Sequence, residues 1–299
     1  MSVFSSGDSL GARSQSEIGE YLAAIGDNQA AAEFLGGQVA GQGLFGSKKA
    51  YKHIDSILGF VPVTTGDQVK VPVQGASKLT ADAAIIGKRV KISLDKFYVA
   101  EYPGRGQHLI LCEFTGKNQM AGETEELRFA LRFNANDGSG AGMAGVPIFM
   151  GVTVGKNGIS FEGRSINVNS SGDETVLDTL GTPAFQNGLG LLLSAQPALK
   201  PFTSLATAVV KTIASKSKNT QVHNFALGLD FAASGTSAKL QYGSYVVVQC
   251  DETTDWEWDQ YEWNRDTNMI ELKDKSRVFP YNFMVFRVVP FDEEDSAAG

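Results

Sequence analysis

The sequence has few residues that could cross-link the chain or coordinate a metal, and it has no long apolar run. It contains 2 cysteines, 3 histidines and 9 prolines in 299 residues. Cys112 and Cys250 both lie in apolar, strand-like runs, so we expect buried free thiols and no disulfide. No stretch approaches the ~20 apolar residues of a membrane-spanning helix, and no basic start leads into an apolar signal segment. These absences predict a soluble, cytoplasmic protein.

Sequence signatures of catalysis and cofactor binding are also absent. His53, His108 and His223 have no second ligand at metal spacing, and no G-x-S-x-G nucleophile elbow occurs. Residues 41–46 match G-x-G-x-x-G, but a predicted helix precedes them where a dinucleotide site requires a strand. We therefore predict a protein that is not an enzyme and binds no cofactor or metal. A Ser–His pair assembled only by the fold stays open as a hydrolase alternative.

The net charge of −7 is concentrated in two short segments. Residues 251–266 hold seven carboxylates and one arginine, and residues 292–295 are all acidic, so the rest of the chain sums to +3. Neutralising phosphates requires clustered lysine and arginine, so nucleic acid is not expected as the main ligand.

From about residue 60 the pattern is typical of β-strands. Apolar and charged side chains alternate along residues 127–133, and Pro72 places the strand around it at a sheet edge. Asn157 and Gly158 lie between two apolar runs, residues 148–154 and 159–168, and predict a tight hairpin turn.

About nine strands with short connections predict a mainly β (β-rich α+β) chain. The expected architecture is an antiparallel β-sandwich, C2-like or jelly-roll-like, with a helical insertion around 173–215 and an N-terminal helical arm. We divide the chain into an arm with short helices and a Gly-rich connector (1–59), a sandwich domain with the insertion (60–290) and an acidic disordered tail (291–299).

The N-terminal arm has the spacing of two short helices, over residues 16–25 and 29–36, with Ser14 or Ser16 as the first N-cap. Five glycines follow within residues 36–46. We interpret the arm as a segment that docks on a neighbouring subunit, with a helical cap on the same sandwich as the alternative. Membrane insertion is less favoured, because residues 18–45 carry carboxylates such as Asp27 and Glu33 and no cation that would attract an anionic bilayer.

The most distinctive segment is both acidic and aromatic. It contains Trp256, Trp258, Tyr261 and Trp263, interleaved with Asp255, Glu257 and Asp259. Such a segment suits a protein interface, a stacking platform for sugars, or a calcium site made by the carboxylates. The structural alternative is a hairpin whose rings pack on the sandwich while the acids stay in water. Among the functional interpretations the protein interface is favoured, because clustered carboxylates attract a basic patch.

Together these patterns predict a non-catalytic protein that works by binding or self-assembly. The expected partner is another protein or copies of the chain itself, as a homo-oligomer. The predicted docking residues are the seven named above together with Ile18, Tyr21, Leu22, Phe34, Leu44 and Phe45 of the arm. One alternative is a membrane-associating or pore-forming protein that uses the Gly-rich segment. Another is a carbohydrate-binding module or hydrolase with a pocket at the loop ends.

Overall fold

A computed structural model describes residues 3–36, 49–64, 66–120, 123–141, 145–170, 172–181, 199–251, 256–274 and 278–291. The helices in these ranges are α1 (Gln15–Ala24), α2 (Asn28–Gly36), α3 (Asp173–Asp178) and α4 (Leu199–Ala214). The strands are β1 (Asp55–Pro62), β2 (Lys70–Pro72), β3 (Gln74–Gly75), β4 (Arg89–Val99), β5 (His108–Met120), β6 (Glu123–Ala135), β7 (Ser139–Ala141), β8 (Val146–Thr153), β9 (Ile159–Asn167), β10 (Thr220–Asp230), β11 (Ala238–Lys239), β12 (Gly243–Cys250), β13 (Tyr261–Asn264), β14 (Met269–Leu272) and β15 (Phe283–Pro290).

The strands form three sheets. The first has seven strands in the order β3-β1-β12-β15-β4-β7, with β8 also paired to β4. The second has the order β11-β10-β9-β5-β6, and the third has the order β14-β13-β2. Apart from the parallel pair β10–β11, the strand pairs in the described ranges are antiparallel. The prediction of a mainly β chain with antiparallel sheets is confirmed, and Pro72 lies in an edge strand as expected.

The two large sheets meet through aromatic side chains. Phe286 of β15 contacts Phe114, Phe161 and Phe225 of the five-stranded sheet, with ring centroids 5.9, 5.1 and 5.3 Å apart. These rings are buried, because alternate residues of each strand face the space between the sheets. The C2-like or jelly-roll-like detail of the architecture stays a prediction.

The predicted helices of the arm are present and pack on this core. Ser14 caps α1 in a capping box with Glu17, so the backbone N–H groups of Ser14 and Glu17 both have acceptors. Ile18 and Leu22 are fully buried, and Phe34 of α2 is buried beside them. Strand β1 begins at Asp55 and so spans the predicted arm–domain boundary at residue 59.

The predicted helical insertion contains α3 and α4. Val209, Val210 and Ile213 of α4 are buried, and the helix lies against β6 of the five-stranded sheet. Its apolar stripe therefore covers the side of that sheet turned away from the inter-sheet core. Residues 182–198 of the predicted insertion lie outside the described residues.

The predicted hairpin at residues 155–158 is wrong in its pairing. Strand β8 pairs with β4 of the seven-stranded sheet, whereas β9 pairs with β5 and β10 of the five-stranded sheet. Gly155–Gly158 is still a tight turn, with Gly158 at φ +87° and its N–H donating to Gly155 O at 3.0 Å. A turn sequence specifies a reversal of the chain, but the faces that each strand buries decide its sheet.

A buried polar network crosses the core near the end of β12. Gln249 is 1% exposed, and its Nε2 donates to the carbonyls of His53 (2.6 Å) and Val222 (3.3 Å). Its Oε1 accepts from Asn282 Nδ2 at 3.0 Å, and Asn282 Oδ1 accepts from Ala100 N at 2.8 Å. Because Val222 belongs to β10, the network joins the two large sheets without leaving these amide groups unpaired.

His223 and Ser56 form a second polar contact between the two sheets. Ser56 Oγ on β1 lies 2.8 Å from His223 Nε2 on β10. His223 is 5% exposed, and this burial lowers the pKa of its imidazole to about 4, with a further contribution from nearby His53. The imidazole is therefore neutral at pH 7 and fits its apolar surroundings.

We expect His223 to make folding sensitive to acid. Its ordinary pKa of 6.5 applies in the unfolded chain and about 4 in the folded one. The unfolded state therefore binds the proton first as the pH falls, so stability is complete above pH 6.5 and is lost toward pH 4. From pH 7 to pH 5, this group alone should lower the free energy of unfolding by about 2 kcal/mol. Urea unfolding of wild type and His223→Gln at both pH values measures that difference, and an equal loss in both proteins would contradict it.

Candidate functional site

A second apolar cluster lies on the other face of the seven-stranded sheet. We call the elements that cover this face the aromatic lobe: β2, β13, β14 and residues 256–260 and 278–281. Phe283 and Val285 of β15 face the aromatic lobe, whereas Met284 and Phe286 face the inter-sheet core. The aromatic lobe therefore forms a third layer, at the part of the sheet whose outer side chains are apolar.

The tryptophans of the acidic segment pack inside the aromatic lobe. Trp256 stacks on Tyr261 with centroids 4.8 Å apart and an interplanar angle of 11°. It also makes edge contacts with Trp258 (5.1 Å), Tyr281 (5.4 Å) and Phe279 (5.9 Å). Aromatic pairs in these geometries add to the burial energy, so the segment is held in one arrangement.

Trp258 lies directly on the backbone of the seven-stranded sheet. A Cβ atom added to Gly59 of β1 would lie 2.6 Å from the indole Cη2, and one added to Gly75 of β3 would lie 3.3 Å from Cδ1. The two glycines therefore form a flat seat for the indole, because a side chain at either position would crowd the ring.

The carboxylates of the segment divide into paired and exposed groups. Lys70 of β2 forms ion pairs with Glu262 of β13 and Glu271 of β14, and so links the three strands. Burial raises the pKa of Glu271, but hydrogen bonds from Asn264 (2.8 Å) and Lys70 (3.3 Å) hold it below its ordinary value overall. Glu257 and Asp259 are exposed instead.

A groove of about 570 Å³ runs along β14, the edge strand of the three-stranded sheet. Lys70, Asn264, Thr267, Met269, Ile270, Glu271, Leu272, Val278 and Phe279 line it. Val278 is 77% exposed at its rim.

The structure brings together the predicted residues of the acidic segment that it describes. Trp256, Trp258 and Trp263 are partly buried and Tyr261 is buried in the aromatic lobe. Residues 258–260 form a 3-10 helix, and the rings face the sheet while Glu257 and Asp259 face water. Asp255 lies outside the described residues.

The predicted docking residues of the arm occupy a different place. Ile18, Tyr21, Leu22 and Phe34 are at most 6% exposed, in the chain's own core. They match the alternative interpretation, a helical cap on the same sheets, and in this conformation a partner cannot reach them. Intramolecular burial uses the apolar surface that docking would need, and docking through these four residues stays a prediction. Leu44 and Phe45 lie outside the described residues.

Sequence reasoning missed Lys70, Val278, Phe279 and Tyr281 as parts of the site. Lys70 is far from the acidic segment in the chain, and only the pairing of β2 with β13 brings it to Glu262. Tyr281 lies 5.5 Å from the His53 ring, which connects the aromatic lobe to the buried polar network. An isolated lysine before a valine in a short strand carries no sequence signal for the contact between Lys70 and Glu262.

The remaining predictions concern the cysteines, a metal site, a Ser–His pair and membrane spans. Cys112 and Cys250 are buried free thiols as expected, and burial raises the pKa of Cys250 to about 12. The described part of the chain contains no cluster of His, Cys, Asp and Glu that could hold a metal ion. Ser56 and His223 form a Ser–His pair, but His223 is buried between the sheets. Among the described helices, none is long and apolar enough to span a membrane.

Comparisons with protein-family models, with curated proteins and with solved structures find no match to this chain. Function is therefore inferred from the chemistry of the site itself.

We expect Gly59→Ala to displace Trp258 and loosen the aromatic lobe. The added methyl would overlap the indole, and overpacking of this kind typically costs about 1–3 kcal/mol. Urea unfolding followed by tryptophan fluorescence measures the loss. Gly228→Ala on β10 is the matched control, since an added Cβ there has no atom within 4 Å. Equal stability of the two variants would contradict the seat at Gly59.

Proposed function

We propose that the chain is a non-catalytic binding protein whose aromatic lobe engages a basic surface of a protein partner. The observation that carries this proposal is the exposure of Glu257 and Asp259 on either side of Trp258, whose indole is anchored on Gly59. The two carboxylates thus project from a segment that is fixed by the packing of Trp258 on the sheet.

Rigidity supports the proposal, because ordering a flexible segment on binding costs free energy. Trp256 is in contact with four other aromatic rings of the aromatic lobe. Trp256 and Trp258 also keep part of their surface exposed, and tryptophan is enriched among the residues that dominate interface energetics.

Charge indicates the kind of partner. Residues 256–274 contain six carboxylates and two cations, Arg265 and Lys273. Lys70 pairs with two of the carboxylates, while Glu257 and Asp259 remain exposed. A partner with clustered lysine and arginine would be attracted to this surface and oriented by it.

The alternatives are a membrane-associating protein and a carbohydrate-binding module or hydrolase. None of the contacts described above favours them over a protein partner, and they stay predictions.

We expect the protein to retain Lys- and Arg-containing peptides on an immobilised peptide array, with binding that weakens as salt rises. Glu257→Gln/Asp259→Asn should weaken binding by about tenfold or more, because two charge attractions to the partner are lost. Fluorescence anisotropy with the best peptide measures the Kd.

The matched control removes two exposed acids of the arm, with Asp8→Asn/Glu20→Gln, and should leave the Kd unchanged. The proposal fails if no basic peptide binds, or if the control variant weakens binding as much as the aromatic lobe variant.

A further inference from the structure

The face that carries the aromatic lobe continues past it as a basic strip. On β15, Phe286 and Val288 are buried in the inter-sheet core, so Arg287 lies on the same face as Val285, which the aromatic lobe covers. On β4, Val90 and Ile92 are buried inward and Lys91 lies between them. Arg287 is opposite Ser93 in the register, and Val289 is opposite Lys91.

The charge of this strip is opposite to that of the aromatic lobe. Strands β4 and β15 together contain Arg89, Lys91, Lys96 and Arg287 and one carboxylate, Asp95, a net charge of +3. Asp95 pairs with Arg287 at 2.9 Å. Arg287 is exposed and Lys91 is partly exposed, so both side chains are within reach of another molecule.

The two surfaces lie on the same face of one sheet: Glu257 and Asp259 flank Trp258, which packs on Gly59 of β1, two strands from Arg287 on β15. Arg287 is two residues from Val285 along β15, which is about 7 Å at the rise of a β-strand. One face of this sheet therefore presents an acidic surface and a basic strip. Two such faces are complementary when one copy is turned by a two-fold rotation, because the acidic surface of each copy then meets the basic strip of the other.

We propose that the partner is a second copy of this chain, bound through this face as a two-fold symmetric dimer. Glu257 and Asp259 of each copy contact Lys91 and Arg287 of the other copy. The inference rests on the proposed function, since it names the partner of the same acidic surface. The contact closes on itself, so it gives a dimer and not an open filament.

The test is a charge swap measured by sedimentation equilibrium. Glu257→Lys/Asp259→Lys makes both surfaces basic, and Lys91→Glu/Arg287→Glu makes both acidic. Each variant alone should dimerise about tenfold or more weakly than wild type, because like charges then face each other. An equimolar mixture of the two variants should recover the wild-type Kd, since both contacts in the mixed dimer are again of opposite charge.

Two further variants distinguish a loss of dimerisation from a loss of folding. Lys91→Glu alone keeps the Arg287–Asp95 ion pair and should still weaken the dimer. Lys211→Glu/Lys218→Glu reverses two exposed charges on and just after α4 and should leave the Kd unchanged.

The acidic segment 292–295 is a competing occupant of the strip. It follows Phe291, and the ring centroid of Phe291 lies 5.0 Å from Arg89 Cζ. If wild type is monomeric and a chain that ends at Phe291 dimerises, the acidic segment occupies the strip in wild type and the proposal is overturned. Failure of the mixture to recover dimerisation would overturn it as well. A monomer that still binds basic peptides through Glu257 and Asp259 would refute the dimer and leave the proposed function intact.

Discussion

The apolar outer face of strands β12 and β15 is the constraint on which the aromatic lobe depends. Tyr245 and Val247 of β12 face the inter-sheet core, Val246 and Val248 face the opposite way, and all four are at most 1% exposed. Strands that are apolar on both sides require a covering layer on both sides. At about 25 cal/mol per Å² of apolar surface, leaving this face in water would cost several kcal/mol.

This covering role shapes the surface that the aromatic lobe presents to solvent. Trp258 packs on Gly59, and Trp256 packs on Tyr261, so these rings serve the chain's own stability. Glu257 and Asp259 are then exposed on a segment whose position is set by the packing of its tryptophans. One segment thus has a structural side and a charged side, and the second is available to a partner because the first is fixed.

Buried polar contacts restrict how the two large sheets fit together. Gln249 and Asn282 satisfy each other and the backbone, and Ser56 meets His223 across the sheets. Apolar packing alone tolerates small shifts, whereas a buried amide that loses its partners costs about 1–3 kcal/mol. These contacts therefore favour one relative placement of β1, β10 and β12.

The sequence by itself determined the longer strands, the arm helices and the chemical character of the acidic segment. Alternation in residues 127–133 and the Ser14 cap are local signals, because strand faces and helix ends are defined by neighbouring residues. Only the tertiary structure decided that β8 and β9 enter different sheets, that Ile18 and Phe34 are buried in the chain's own core, and that Lys70 reaches Glu262. These outcomes depend on pairings between distant segments, and an apolar side chain is equally suited to an internal core or a partner until the fold selects one.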